Sequence, residues 1–194
     1  SLAITIDAQA ASAPSVAITD AAGGVSAGEA SDGVALTVTV PANAKVGDVV
    51  TTVVTAPNGT TSTLTHTLLA TDLPPAQGGT ASGGPTFTIT QLVPLSALQP
   101  GGNNSAYLDG SWTTSTTVTD LAGNVSPARP GSFVLDTTPP AAPVAALASV
   151  SDSGTLGDSI TRDTTPSISG TGTPGDTITV TFPGGEVQTA VVAA

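Results

Sequence analysis

Apolar and polar residues alternate one by one along much of this chain, and a period of two is incompatible with helices as its main element. Val34, Leu36, Val38 and Val40 fall on one side of an extended segment, with Ala35, Thr37 and Thr39 on the other. Leu2, Ile4 and Ile6 repeat the pattern, as do Phe87 with Ile89, and Ile178 with Val180 and Phe182. Each run is short and is bounded by Gly, Pro, Asn or Asp, the residues that turn a chain. No stretch sustains a helical period; Ser96-Ala97-Leu98 reads as a single turn at most. Strands that bury one face and solvate the other pair antiparallel, so the expectation is an all-β fold.

Composition narrows the function classes. The 194 residues carry 14 acids against 3 bases, a net charge of -11, which argues against a nucleic-acid surface built on clustered Lys and Arg. There is no Cys, so neither a disulfide nor a thiolate metal site is possible. No apolar run approaches the roughly 18 residues that cross a bilayer as a helix, so no direct membrane insertion is expected. No leader is visible at Ser1, and the chain reads as a piece of something longer.

The chain repeats itself. Ile6-Asp7 is followed by an Ala/Pro stretch ending at Pro14, and Leu135-Asp136 by Thr137-Thr138-Pro139-Pro140-Ala141-Ala142-Pro143. Gly47-Asp48-Val49-Val50-Thr51 recurs as Gly175-Asp176-Thr177-Ile178-Thr179. The two pairs of landmarks have nearly equal offsets, so one unit is about that long. The boundaries that follow are 1–15 for the final strand of a preceding repeat and its linker, 16–136 for a complete unit, 137–143 for a Pro-rich linker, and 144–194 for the opening part of the next unit. Pro139-Pro140 has no N–H for a ladder and holds the linker extended. The last segment is too short in strands to bury a sandwich core, so it frays or is completed by strands from elsewhere, residues 1–7 of another copy being one source.

Several motifs occur in order. Thr119-Asp120-Leu121-Ala122-Gly123-Asn124-Val125-Ser126 precedes a strand ending Leu135-Asp136-Thr137-Thr138-Pro139. Asp158-Ser159-Ile160-Thr161-Arg162-Asp163-Thr164-Thr165-Pro166 and Gly170-Thr171-Gly172-Thr173-Pro174-Gly175-Asp176 follow. Together they resemble the bacterial Ig-like repeats of giant RTX-type and biofilm-associated adhesins exported by type I secretion. The resemblance implies an Ig-like antiparallel β-sandwich, here one complete domain plus an incomplete second. It also implies calcium at domain junctions, neighbouring Ig-like repeats of the same long chain as partners, and an extracellular place on a bacterial cell surface. Residues 68–108 depart from the pattern, being longer and richer in Gly and Pro, and read as carrying an inserted loop.

The position of the acids supports a metal independently. In a seven-strand sandwich, successive loops alternate between two poles. Asp48 and Asp120 with Asn124 then fall at the pole of Asp7, while Asp20, Glu29, Asp32 and Asp136 gather at the other, where Asp176 of the next unit joins them. Like charges about 4 Å apart repel by ~1 kcal/mol even in water, and a hard Ca²⁺ ion taking six to eight oxygens reverses the sign. Asp152, Asp158 and Asp163 form a weaker set, facing a further unit. Neither an EF-hand loop nor a Gly-Gly-x-Gly-x-Asp array is present.

Other residues carry blander readings. His66 is the only histidine and reads as a rim residue, not a ligand set or catalyst, and no Gly-x-Ser-x-Gly elbow occurs. Paired acids at hairpin tips do not make a glycosidase cleft, so no enzymatic activity is expected. Trp112 reads as a core anchor; exposed beside Tyr107 it would instead make a stacking platform. The expected function is a structural extender of a surface adhesin, with calcium stiffening the junctions. The alternative is a glycan- or protein-binding module that uses the 68–108 loop region. Thr113, Ser115, Thr117 and Thr119 read as a solvent-facing row, and Lys45 as an exposed turn residue, unlike the buried lysine an isopeptide crosslink needs.

Overall fold

The computed structural model describes residues 6–18, 24–73, 87–101, 106–182 and 184–194. The chain divides into two units, Ser1–Thr138 and Pro139–Ala194.

The alternation at Val34–Val40, at Phe87 with Ile89 and at Ile178 with Val180 becomes strands where it was read, while Leu2 and Ile4 lie outside the described residues. In the first unit these are β1 (Ser15–Ile18), β2 (Val34–Val40), β3 (Val49–Thr55), β4 (Thr61–Thr67), β5 (Phe87–Val93), β6 (Gly110–Thr119) and β7 (Arg129–Leu135). They form one sheet in the order β1-β2-β5 and another in the order β4-β3-β6-β7, every pairing antiparallel. The all-β reading holds, and the architecture is that of an Ig-like sandwich. After β1 the chain changes sheets: Val25 bridges Leu135 in parallel, donating to Val134 O at 2.7 Å while its own carbonyl accepts from Asp136 N at 2.9 Å. The single turn foreseen around Ser96 is α1 (Leu95–Leu98), and β5 lies inside the 68–108 segment, which is therefore not all inserted loop. Residues 74–86 and 102–105 of that segment lie outside the described residues.

The inward faces meet in two apolar clusters. The first holds Val34, Leu36, Val54, Val93, Leu98, Trp112, Phe133 and Leu135; the second holds Val38, Val40, Val50, Leu68, Ile89 and Val118. Burying each such side chain contributes roughly 1.5–3 kcal/mol. A polar belt separates them. Thr52 Oγ1 donates to Gln91 Oε1 at 2.5 Å and lies 2.8 Å from Thr116 Oγ1, and Gln91 Nε2 donates to Val50 O at 3.4 Å. Thr114 lies two residues from Thr116 along β6, opposite Val54; its Oγ1 occupies the space a side chain on Gly131 opposite would need, 2.7 Å from the position of a Cβ. The outward face of β6 exposes Thr113 and Ser115 and half-exposes Thr117 and Thr119.

The second unit contains β8 (Val144–Leu147), β9 (Ile168–Thr171), β10 (Thr177–Thr181) and β11 (Val187–Val191), as two separate antiparallel ribbons, β8-β9 and β10-β11. Its second ribbon recapitulates β3-β4 bond by bond. Gly47 N donates to Leu68 O and Leu68 N to Asp48 O, as Gly175 N does to Val192 O and Val192 N to Asp176 O. At the hairpin tips Ala56 N donates to Thr60 O and Phe182 N to Glu186 O. Gly47 and Gly175 adopt φ of 94° and 93°, left-handed values that exclude most other residues there.

Candidate functional site

The described strands of both units contain no acid, so the described carboxylates sit outside the strands. In the first unit the loops alternate between two poles as antiparallel pairing demands. One pole collects the segment before β1, the β2–β3 loop, the β4–β5 loop and the β6–β7 loop; the other collects the β1–β2, β3–β4 and β5–β6 connections and the chain after β7.

At the first pole the structure brings Asp7, Asp120 and Asn124 together. Asp120 closes its own loop, its Oδ1 accepting from Ala122 N at 2.9 Å and Asn124 N at 2.8 Å, and its Oδ2 from Asn124 Nδ2 at 2.8 Å. The Asn124 side chain, and then the backbone bonds, hold the Asp120 carboxyl below its ordinary range. The same Asn124 Nδ2 donates to Asp7 O at 3.0 Å, which ties the leading segment to the β6–β7 loop. Asp7 Oδ2 lies 3.4 Å from Lys45 Nζ, and Asn43 Oδ1 accepts from Ser12 N at 2.9 Å. Lys45 is exposed, as expected, but it stands on the acids instead of away from them. Asp48 is buried, and its Oδ2 accepts from Lys45 N at 2.8 Å, closing the β2–β3 turn.

The second pole differs from expectation. Glu29 Oε2 accepts from both Ser26 N and Ser26 Oγ at 2.8 Å, and the backbone bond, then the hydroxyl, lower its pKa. Asp32 ends a 3-10 turn, Asp136 Oδ1 accepts from Thr138 N at 3.2 Å, and Asp20 lies outside the described residues. The residue that organises the outgoing chain is Asp109, absent from the expected set. Its Oδ1 accepts from Thr137 N at 3.1 Å and Thr137 Oγ1 at 2.8 Å, and its Oδ2 from Thr138 Oγ1 at 2.9 Å. Burial works against the Asp109 charge, yet the Thr137 and Thr138 bonds outweigh it and the pKa falls. Asp109 and Thr137 are far apart in sequence, so no local spacing announced the pair.

In the second unit Asp152, Asp158 and Asp163 each bond within the β8–β9 connection. Asp152 Oδ2 accepts from Gly157 N at 2.6 Å, Asp158 Oδ1 from Ile160 N at 2.9 Å, and Asp163 bonds Thr165 N and Ser151 Oγ, both at 2.9 Å. Asp176 is half-buried at the start of β10. Among the described residues no three Asp, Glu, His or Cys side chains converge as a metal site would require. The donor set at the first pole fits calcium in part: the Asp7 and Asp120 carboxylates and the Asn124 amide are oxygen ligands of the right hardness, fewer than the six to eight the ion takes.

His66, on the edge strand β4, lies 2.8 Å from Asp72 Oδ2, which also accepts from Leu69 N at 2.8 Å. The His66 bond first, and the Leu69 bond next, lower the Asp72 pKa. A depressed carboxyl adds stability above its unfolded pKa, and that contribution is lost as pH falls through the folded one. Acid titration of stability below about pH 4 is expected to flatten in Asp72→Asn, measured by urea unfolding at a series of pH values. An unchanged acid limb would mean the pair does not couple to folding.

Trp112 is buried, stacked on Phe133 with centroids 5.7 Å apart, and donates Nε1–H to Leu108 O at 3.0 Å. Tyr107 is half-buried, its hydroxyl 3.4 Å from Ala27 O. An exposed Trp112–Tyr107 platform is therefore excluded. No helix among the described residues is long and apolar enough to cross a membrane.

Residues 139–194 match the family model of a bacterial Ig-like domain. Domains of that kind are generally non-enzymatic and typical of surface proteins. No curated protein and no solved structure matches the chain.

Proposed function

We propose that this chain is a spacer from a bacterial cell-surface adhesin, Ig-like units in series whose ends are held by polar contacts and stiffened by calcium. The observation that supports this most is the pair of anchors on the first unit. Asn124, Lys45 and Asn43 hold residues 7–12 at one pole, and Asp109 holds Thr137 and Thr138 at the other. A segment entering at one end and leaving at the opposite end, fixed at both, transmits tension through the sandwich instead of peeling it. The match of the second unit to a bacterial Ig-like domain agrees with a surface protein built from such units. An adhesin's target lies outside this reading, and the neighbouring repeats are its immediate partners.

At the first pole, Asp7, Asp120 and Asn124 would contribute ligands, with the remainder supplied by water or by a neighbouring repeat. Bound there, calcium would add positive charge beside the Asp7 and Asp120 carboxylates, of which Asp7 already faces the Lys45 ammonium. The affinity expected of an extracellular site is about 10⁻⁴–10⁻³ M. At millimolar calcium that corresponds to roughly 0.4–1.4 kcal/mol of stabilisation, a rise of a few degrees in melting midpoint over EDTA. Asp7→Asn is expected to remove most of that rise. An identical midpoint with calcium and with EDTA would sink the metal while leaving the spacer reading to force measurements.

A further inference from the structure

The hairpin tip that joins β3 to β4 carries an amide side chain that its turn does not require. Ala56 N donates to Thr60 O at 2.8 Å and Gly59 N to Ala56 O at 2.9 Å, and Gly59 takes a left-handed φ of 83°. The tip of the β10–β11 hairpin repeats this turn. There Phe182 N donates to Glu186 O and Gly185 N to Phe182 O, both at 2.8 Å, and Gly185 also has φ of 83°. The place of Asn58 is taken by Gly184. Both tips need the left-handed glycine, since an L side chain is strained at that φ. Only the first carries the asparagine.

Asn58 is exposed, and its side chain arches over the Gly59 peptide. Its Oδ1 accepts from Thr60 N at 2.9 Å and from Thr60 Oγ1 at 2.8 Å, so two donors converge on one carbonyl oxygen. Donors aimed at such an oxygen stabilise the negative charge that develops there when its carbon is attacked. Apart from its chain neighbours, no heavy atom stands within 4 Å of the point where a Cβ on Gly59 would be, so the Gly59 peptide is unshielded. The other described asparagines lack this combination. Asn43 Oδ1 accepts one bond, from Ser12 N, and Ala44 follows it. Asn124 commits its Nδ2 to Asp7 O and Asp120 Oδ2, and the branched Val125 follows it.

We infer that Asn58 is a site of spontaneous covalent modification, deamidated through a cyclic imide to aspartate and isoaspartate. The Gly59 nitrogen gives its proton to solvent and bonds to Asn58 Cγ, and the negative charge forms on Oδ1 beneath the two Thr60 donors. As the carbonyl re-forms, the Cγ–Nδ2 bond breaks and the nitrogen takes a proton from solvent and leaves as ammonia. Water then opens the imide. Cleavage of the new Cγ–N bond yields aspartate with the original backbone, and cleavage of the backbone C–N bond yields isoaspartate. One water enters and one ammonia departs, with no change of oxidation state. Attack requires Gly59 N to release Ala56 O, a single hydrogen bond at an exposed tip, so the conversion is slow but open to the folded chain. Either product adds one carboxylate to a chain whose net charge is already -11. The chemistry does not depend on calcium or on the spacer reading.

Ageing the whole 194-residue chain at neutral pH and body temperature for weeks, followed by peptic digestion and mass spectrometry, tests it. The expected result is the mass gain of an amide-to-acid exchange in the Asn58 peptide before those of Asn43 and Asn124, with isoaspartate detected there by enzymatic methylation. Thr60→Val removes the hydroxyl donor and is expected to slow the conversion roughly two- to tenfold. Thr60→Ser keeps both donors and is expected to convert at the unaltered rate. Asn58→Gly copies the tip of the second unit and is expected to fold with an unchanged urea midpoint and to lose the early mass gain. Conversion of Asn58 no earlier than that of Asn43 and Asn124 overturns the inference. So does a Thr60→Val variant that converts as fast as the unaltered chain or faster, because the Thr60 bonds would then restrain the amide instead of activating it.

Discussion

Replacing Trp112 with alanine is expected to cost the first unit about 3–5 kcal/mol, the range for emptying a large aromatic site in a packed core. Trp112 sits in the larger apolar cluster among Leu36, Val54, Val93, Leu98 and Leu135, and its ring lies over Phe133 with the planes only 10° apart. The chain has few other aromatics, with 3 Phe and 1 Tyr, so neighbouring side chains have little bulk with which to fill the space. The indole N–H also satisfies Leu108 O, so truncation leaves that carbonyl short of a partner. A domain of this size has about 5–15 kcal/mol of total stability, and the variant is expected to approach the unfolding threshold. Urea unfolding followed by far-ultraviolet circular dichroism measures it, since the variant lacks the chain's only Trp as a fluorophore. A loss below about 1 kcal/mol would show that the site collapses freely or that the ring is not buried in solution.

The second large effect concerns Gln91. Gln91→Leu keeps most of the volume but removes the carboxamide that accepts from Thr52 and reaches Val50 O across the core, and is expected to cost about 1–3 kcal/mol. Adding Thr52→Val and Thr116→Val should recover most of that loss, because the three polar groups then disappear together and neither the Thr52 nor the Thr116 hydroxyl is left buried without a partner. The belt therefore contributes less to net stability than to register. Sliding β5 by one residue would turn Gln91 outward and bring Leu92 and Thr90 inward, leaving Thr52 unpaired in the core. Chemical denaturation of the single and triple variants distinguishes the two roles. A triple variant no more stable than Gln91→Leu would show that the cost lies in packing and not in unsatisfied hydrogen bonds.

Much of this was legible in local pattern. The alternation in Val34–Val40 sets which side of β2 is buried, and the paired landmarks at Gly47-Asp48 and Gly175-Asp176 mark turns whose hydrogen bonds coincide. The polar loop positions of Asp48, Asp120 and Asn124 follow from counting strands, and the contact of Asn124 with both Asp120 and Asp7 lies at the expected pole. The electrostatics there were harder to read. Lys45 reaches back to Asp7 along a flexible stem, and nothing in its neighbours announces the direction. The far-pole acids were assigned by the same counting, yet Glu29 is held by Ser26 three residues away and Asp109, at the foot of β6, does the anchoring.

A period of two is a property of neighbouring residues, so the chain's own order of side chains determined strands, buried faces and the turns between them. Which strand lies beside which, and hence that Thr52 meets Gln91 and that Asp109 meets Thr137, was decided only in three dimensions. Those contacts join residues far apart along the chain, and their energies depend on sheet order and solvent exclusion, neither of which any local window of sequence contains.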